Sequence, residues 1–538
     1  MECNQDSARQ QGGTLRQGPT ATIQGMIENA VRAYRLGQPR EAERLCQQIL
    51  SLDAHHADSL NLLGMIAFQA GSYELAAGRF QEAISINHGR ATYHSNLGAV
   101  LRVQGKLKDA AACFERALAL QPGLAEAHVN LGGVLHAQGR FDEAAARCRQ
   151  ALALKPDFAE AHMNLGTILH AQGKLHQALA LCVRAVALKP ELAEAHHTLG
   201  RVLRSLGRSD EASACYGRAL ALQPDYAQAH FSQSVVQLLQ GNFTSGWRNY
   251  EWRWQSEDHD TPRRANQQPL WTGKALDSGR LLIWGEQGVG DEILFAGLIP
   301  DVIRTGNRCT LDCDARLKPL FARSFPEVDV ISGHRPDHVS EVEIAAHLPS
   351  GSLPGLFRST SAAFASTTSP YLIADPIARN RFRTRYADGR RLAGLAWQTK
   401  SPKAGHSRSI DLSLLAPLFA LPGIRWISLQ YGDHDALQAQ AAEAAAPILI
   451  DRTVDQFSNI DRFASQIAAI DLVVTIDNST AHLAGSLGVP VWVLLPFAPD
   501  WRWLEAREDS PWYPTMRLFR QPKPGDWQSV VERVKSAL

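Results

Sequence analysis

Three polar stretches in the second half of the chain combine residue types that hold anions and move protons. The first is Gly285-Glu286-Gln287-Gly288-Val289-Gly290-Asp291-Glu292, set between a short apolar run and a helical one. Its glycines let a ligand approach the backbone, and the N-terminus of the following helix favours negative charge. Asp291 stands at that junction, where a carboxylate facing a cleft can act as a general base. The glycines are spaced G-x-x-G-x-G, and no Gly-Lys-Ser/Thr follows, so this is not a P-loop. The dinucleotide fingerprint fits only loosely. Asp312 and Asp314, about 20 residues on, keep a nicotinamide cofactor open as an alternative. A plain tight turn, or a carboxylate capping its own helix, accounts for the same residues without chemistry.

The second stretch is Asp477-Asn478-Ser479-Thr480-Ala481-His482. Successive backbone N–H groups and hydroxyls at a helix N-terminus form an anion cradle suited to a diphosphate; a run of capping residues is the plainer account. The third runs from Gln398 to Ser409 and carries Lys400, Lys403, His406 and Arg408. Cations in such a loop suit phosphate, and equally a solvated surface.

Elements of one kind must position all three. From Arg280 onward, short apolar runs bounded by turn residues alternate with helical patterns. The runs are 281–284, 309–312, 392–397, 426–429, 448–450, 472–476 and 491–495. Strands alternating with helices predict parallel, doubly wound sheets. The segment 362–376 reads as a crossover between two of them, giving domains at 280–385 and 386–538. Each polar stretch then follows a strand's carboxyl end, where ligands bind in such folds.

The first half is built differently. Units of 34 residues begin at Ile23, Ala57, Ala91, Ala125, Ala159, Ala193 and Ala227. A Gly recurs in each, from Gly37 to Gly241, and Pro122, Pro156, Pro190 and Pro224 close four of them. Apolar stripes such as Leu131, Val134 and Leu135 predict a helix up to the Gly. Asp142 and Glu143 then open a second helix, where they suit its dipole. Such pairs bury their apolar faces only by stacking, so 23–254 is expected to be an α solenoid. Asn96, Asn130 and Asn164 share one position in three consecutive units. Stacking aligns them in a row able to hold a peptide backbone.

Composition bounds the rest. At 538 residues the chain is too long for one core. A formal net charge of +1 gives no drive toward nucleic acid. No apolar run is long enough for a membrane span. Residues 1–22 are polar and are expected to be a disordered leader. Of the eight Cys, Cys46, Cys148 and Cys182 share a repeat position with Phe80, Phe114 and Tyr216, which marks them as buried fillers. No metal or disulfide pattern emerges, and a cytoplasmic location is expected. All twelve Trp lie at or after Trp247. The stretch 247–254, WRNYEWRW, reads as a degenerate repeat that docks the solenoid on the next domain, with 255–279 as a polar linker.

The 34-residue unit resembles the tetratricopeptide repeat. The run from Ile476 to Pro490, IDNSTAHLAGSLGVP, resembles the donor-site motif of heptosyltransferase-like (family 9-like) glycosyltransferases, D-T-G-x-x-H-L-A-x-x-L-G-x-P. Asn478 and Ser479 stand where that family has Thr and Gly. The whole chain is similar to bacterial tetratricopeptide-repeat proteins fused to such a domain. The resemblance implies a GT-B fold of two Rossmann-like domains, inverting chemistry without a metal, and a nucleotide-diphosphate sugar as donor. No cofactor is implied. It implies Asp291 as base, with Gln287, Gly288, Gly290, Lys403, Arg408, Asp477, Asn478, Ser479, Thr480 and His482 around the donor. The repeat units also resemble those of the protein O-linked N-acetylglucosamine transferase, which implies a protein or peptide on Asn96, Asn130 and Asn164. The alternative is a non-catalytic adaptor whose second half is inactive or only senses a nucleotide.

Overall fold

The computed structural model describes residues 19–257, 259, 261–264, 266–333, 344–367, 369–399 and 405–538. The chain divides into two compact units, 1–191 and 192–538. No helix among the described residues is long and apolar enough to cross a membrane.

The first unit consists of helix pairs in register with the 34-residue period. They are Pro19–Arg35 with Pro39–Leu52, Ala57–Gln69 with Tyr73–Ile86, Ala91–Val103 with Leu107–Leu120, Ala125–Ala137 with Phe141–Leu154, and Ala159–Ala171 with Leu175–Leu188. The first helix starts at Pro19, ahead of the expected start at Ile23. Gly37, Gly71, Gly105, Gly139 and Gly173 turn between the partners with φ of 71–76°, a left-handed conformation that excludes most side chains. In four of the five repeats a second glycine serves packing. A Cβ on Gly64, Gly98, Gly132 or Gly166 would come within 2.6–2.9 Å of Phe80, Phe114, Cys148 or Cys182. The fillers read from the sequence are thus buried against bare backbone, with exposures of 0–1%. Where a Pro closes the repeat, the second helix stops two residues before it, as at Leu120 before Pro122. The freed Pro122 and Pro156 carbonyls accept hydrogen bonds from His128 Nε2 at 3.0 Å and His162 Nε2 at 2.8 Å. These histidines tie those two turns to the next helix.

The second unit begins with two more pairs, Ala193–Ser205 with Ser209–Leu222 and Ala227–Leu239 with Phe243–Tyr250. Ten strands follow: β1 Arg280–Trp284, β2 Cys309–Cys313, β3 Asp329–Ser332, β4 Ile344–Pro349, β5 Arg391–Ala396, β6 Ile424–Ser428, β7 Ile448–Leu449, β8 Leu472–Ile476, β9 Val491–Leu495 and β10 Met516–Arg520. They form two parallel sheets, ordered β3-β2-β1-β4 and β10-β9-β8-β5-β6-β7. All seven expected runs are strands, and the segment at 362–376 lies between the sheets in sequence. In each sheet the chain works outward to one side and then returns to the other. The strand order reverses between β1 and β4, and between β5 and β8. At such a reversal the loops beyond the carboxyl ends part and leave a crevice.

The degenerate repeat packs on the sheets, as its aromatic content predicts. Trp247 is 4% exposed and meets Trp501 edge-on, with ring centroids 5.2 Å apart. Its indole N–H donates to the Arg358 carbonyl at 3.0 Å. The stretch expected as a linker lies along the first sheet. Leu270 bridges to His347 of β4, Trp271 is buried, and Arg264 pairs with Asp312 of β2 at 2.5 Å.

Candidate functional site

The loop after β1 leads into the Val289–Ala296 helix, and the loop after β8 into the Ser479–Ser486 helix. The N-termini of these two helices meet. A Cβ on Gly290 would lie 3.3 Å from His482 Cδ2 and 3.6 Å from Ser479 Cα, so the glycine permits this approach. Asp291, Gly290, Ser479 and His482, which are far apart in sequence, are thereby brought together.

Asp291 is the third residue of its helix. Its carboxylate accepts the Gly288 N–H at 3.3 Å and forms an ion pair with Arg502. Arg502 also holds Asp500 at 2.5 Å. The other oxygen of Asp500 faces Arg408 at 3.3 Å, and Arg408 reaches Asp477 at 3.0 Å. The chain Asp291–Arg502–Asp500–Arg408–Asp477 therefore alternates in sign across the ends of both sheets. It carries three carboxylates against two guanidiniums. Burial opposes charge throughout. It would lower Arg502, but Asp291 and Asp500 overcome it and hold the guanidinium above its usual value. Burial would raise Asp500, but Arg502 and Arg408 hold it well below the carboxylate range. At Asp477 burial prevails over Arg408 and the carboxyl is raised.

His482 lies beside this chain. Its Nδ1 is 3.0 Å from the Tyr513 hydroxyl, and its ring stacks on Trp503 with centroids 5.1 Å apart. Burial first, and then the charge of Arg502, lower its pKa to about 3, so it is a neutral hydrogen-bonding group near pH 7. Asn478 caps the helix: its Oδ1 accepts the Ala481 N–H at 3.3 Å and the Thr475 hydroxyl at 3.1 Å. Asn478 Nδ2 and Thr480 Oγ1 are buried and bond to no described residue. Such groups at a helix N-terminus can meet the oxygens of an anion.

Gln287 and its neighbour face elsewhere. Gln287 adopts φ of 65°, its N–H donates to Thr261 Oγ1 at 2.8 Å, and its amide donates to the Tyr250 hydroxyl at 2.7 Å. Glu286 is buried in a two-pronged pair with Arg253, at 2.9 and 2.8 Å, and accepts the Gly351 N–H at 2.9 Å. The degenerate repeat thus grips the loop that carries Asp291. Gly288 caps the Val289–Ala296 helix in extended conformation. Lys403 lies outside the described residues.

The sequence reading missed Arg502, Asp500 and Arg253. The signal for the first two was Asp500-Trp501-Arg502-Trp503, a charged pair set among tryptophans just past β9 at the same end of the sheet as the other loops. Of the expected peptide row in the first unit, Asn96, Asn130 and Asn164 are half-buried. Asn96 donates to Asn61 at 2.9 Å, a residue one unit earlier that lies outside the row read from the sequence.

Models of the tetratricopeptide repeat match residues 27–91, 89–157 and 157–225. Protein FlbA of Caulobacter vibrioides (strain ATCC 19089 / CIP 103742 / CB 15) is 31% identical over 327 residues, which cover 57% of this chain and 54% of FlbA. The chain thus matches about half the length of that relative. Among solved structures, YrrB, described as a TPR protein with an unusual peptide-binding site, is 21% identical. That likeness covers 35% of this chain and 98% of YrrB, with a TM-score of 0.28. PilF of Pseudomonas aeruginosa is 17% identical, covering 40% and 99%, with a TM-score of 0.36. The N-terminal region of this chain is an array of tetratricopeptide repeats.

Proposed function

We propose that the second unit is a GT-B-type glycosyltransferase that moves a sugar from a nucleotide-diphosphate donor to a protein or glycan acceptor recruited by the repeats. The observation that carries this is the meeting of two helix N-termini beyond two parallel sheets, with a carboxylate on one and unsatisfied donors on the other. Asp291 takes the proton of the acceptor hydroxyl as the new glycosidic bond forms on the face opposite the leaving group. The bond from the anomeric carbon to the diphosphate breaks. Arg408, the helix N-terminus at Asn478 and the Asn478 and Thr480 side chains meet the charge that develops there. Neutral His482 donates or accepts a hydrogen bond without adding charge. The tetratricopeptide repeats fit a protein or peptide partner, with Asn130 and Asn164 available to its backbone.

A second reading, an adaptor that binds a nucleotide without turning it over, draws on one observation. In this structure Asp291 is engaged by Arg502, and both arginines are already matched by carboxylates. Release of nucleoside diphosphate from a panel of nucleotide sugars, with calorimetric binding of the nucleoside diphosphates alongside, separates the two. Turnover of one donor supports the enzyme. Binding with no turnover of any donor supports the adaptor. Absence of binding overturns the donor site.

A further inference from the structure

Arg502 is the hinge of the charge chain. Its two terminal nitrogens are split between Asp291 on one helix and Asp500 on its own loop. Asp500 in turn joins it to Arg408, so the two guanidiniums share one carboxylate. The side chain of Arg502 is 11% exposed and that of Asp291 20% exposed, so their attraction is little screened by water.

The loop that presents Arg502 is itself held under strain. Leu504 and Ala506 take φ of 53° and 51°, left-handed values that disfavour side chains other than glycine. The last repeats hold them there. The Glu505 N–H donates to the Leu239 carbonyl at 2.9 Å, and the Glu505 carboxylate accepts the Ser209 hydroxyl. The Arg502 guanidinium lies 4.4 Å from the centre of the Trp501 ring, and Trp501 packs on Trp247. The guanidinium is therefore fixed in place by the fold and does not depend on Asp291 to hold it.

We propose that Arg502 is a phosphate-binding residue for which Asp291 and the diphosphate of the donor compete. Without donor, Arg502 occupies Asp291. With donor, the diphosphate takes one terminal nitrogen of Arg502 while Asp500 keeps the other, and Asp291 is freed to accept a proton. A planar fork with five N–H donors suits this exchange, since carboxylate and phosphate present the same paired oxygens to it. The proposal rests on the glycosyltransferase reading and adds to it an order of events: the base becomes available only when the donor is in place, which suppresses activation of an acceptor with nothing to attack.

The test is a thermodynamic cycle on the full-length chain, read by calorimetry with inorganic pyrophosphate and with UDP, GDP, ADP and CDP. Removing the competitor should tighten binding, so Asp291→Asn is expected to bind pyrophosphate about fivefold to tenfold more tightly than wild type. In an Arg502→Gln background the same Asp291→Asn change should alter affinity less than about twofold, because there is nothing left to compete for. Should Arg502→Gln not fold, Arg502→Lys keeps the charge, loses the fork and is expected to give an intermediate gain. Asp291→Asn binding no more tightly than wild type overturns the proposal and leaves the donor site standing. So does a gain that persists undiminished without Arg502, since that reports only the removal of a nearby charge. Failure of wild type to bind any of these anions overturns the donor site and the competition together.

Discussion

Glu286→Gln isolates the contact by which the last repeat grips the catalytic-loop candidate. Both side chains of the Glu286–Arg253 pair are 0% exposed, and the pairing is bidentate. Glutamine keeps the shape and can still accept the Gly351 N–H, but it leaves a buried guanidinium without its main counter-charge. Breaking one side of a buried pair costs about 3–5 kcal/mol. Arg253 retains Glu251 at 3.0 Å, together with the Ser352 hydroxyl and the Tyr250 carbonyl, which places the loss near the lower end, about 3 kcal/mol. Tryptophan fluorescence in urea reports on this unit alone, because every Trp lies at or after Trp247. With a slope of about 3 kcal/mol/M, the midpoint should fall by about 1 M. Replacing both partners, Arg253→Met with Glu286→Leu, removes both charges and should recover most of the loss. A midpoint within about 0.2 M of wild type for Glu286→Gln, or a double variant as weak as the single one, would refute the reasoning.

Asp291→Asn should lower release of nucleoside diphosphate from the active donor by about 100-fold or more; unchanged turnover removes Asp291 from the mechanism. Glu292 is a buried carboxyl whose pKa is pushed up from 4.5 to about 7, chiefly by burial and against the hydrogen bond from the Asp314 N–H. Because its folded value lies above its unfolded one, its contribution is present below about pH 4.5 and is lost as pH rises through 7. Glu292→Gln should therefore gain roughly 2–3 kcal/mol on wild type between pH 5 and pH 8; melting curves that show the same gap at both pH values contradict this. Asn96, Asn130 and Asn164 changed together to Ala should weaken capture of a peptide acceptor about 10–100-fold, at about 1 kcal/mol per hydrogen bond. Pyrophosphate affinity should stay unchanged, and loss of both would assign the row a structural role.

The solenoid was legible because a 34-residue period repeats its own punctuation: one left-handed Gly, one Pro, one bulky filler. What the period did not reveal was the use of the other glycine, the backbone on which Phe80 or Cys148 rests, since that contact joins two helices of a pair. Every strand read from the sequence was found. The three missed strands, β3, β4 and β10, are all edge strands. An edge strand pairs on one side only and needs less apolar surface; β10 carries exposed Arg517 and β3 exposed Asp329. The loops of the site were found from their place after strands. Their partners were not, because an ion pair such as Asp291 with Arg502 joins residues 211 apart and leaves no periodic trace. Arg253 was hidden in the same way, inside a stretch dominated by its tryptophans.

The second compact unit begins at Leu192, so the repeats from Ala193 to Tyr250 belong with the sheets. This sets a limit on modularity. A duplication or deletion of whole 34-residue units before residue 192 lengthens or shortens the array without touching Leu239, Trp247, Tyr250 or Arg253. The same event after residue 192 replaces the residues that hold the Arg502 loop and the Glu286 carboxylate. Whole repeats before residue 192 can therefore be gained or lost without disturbing these contacts, whereas the last units are fixed by the sheets they pack on.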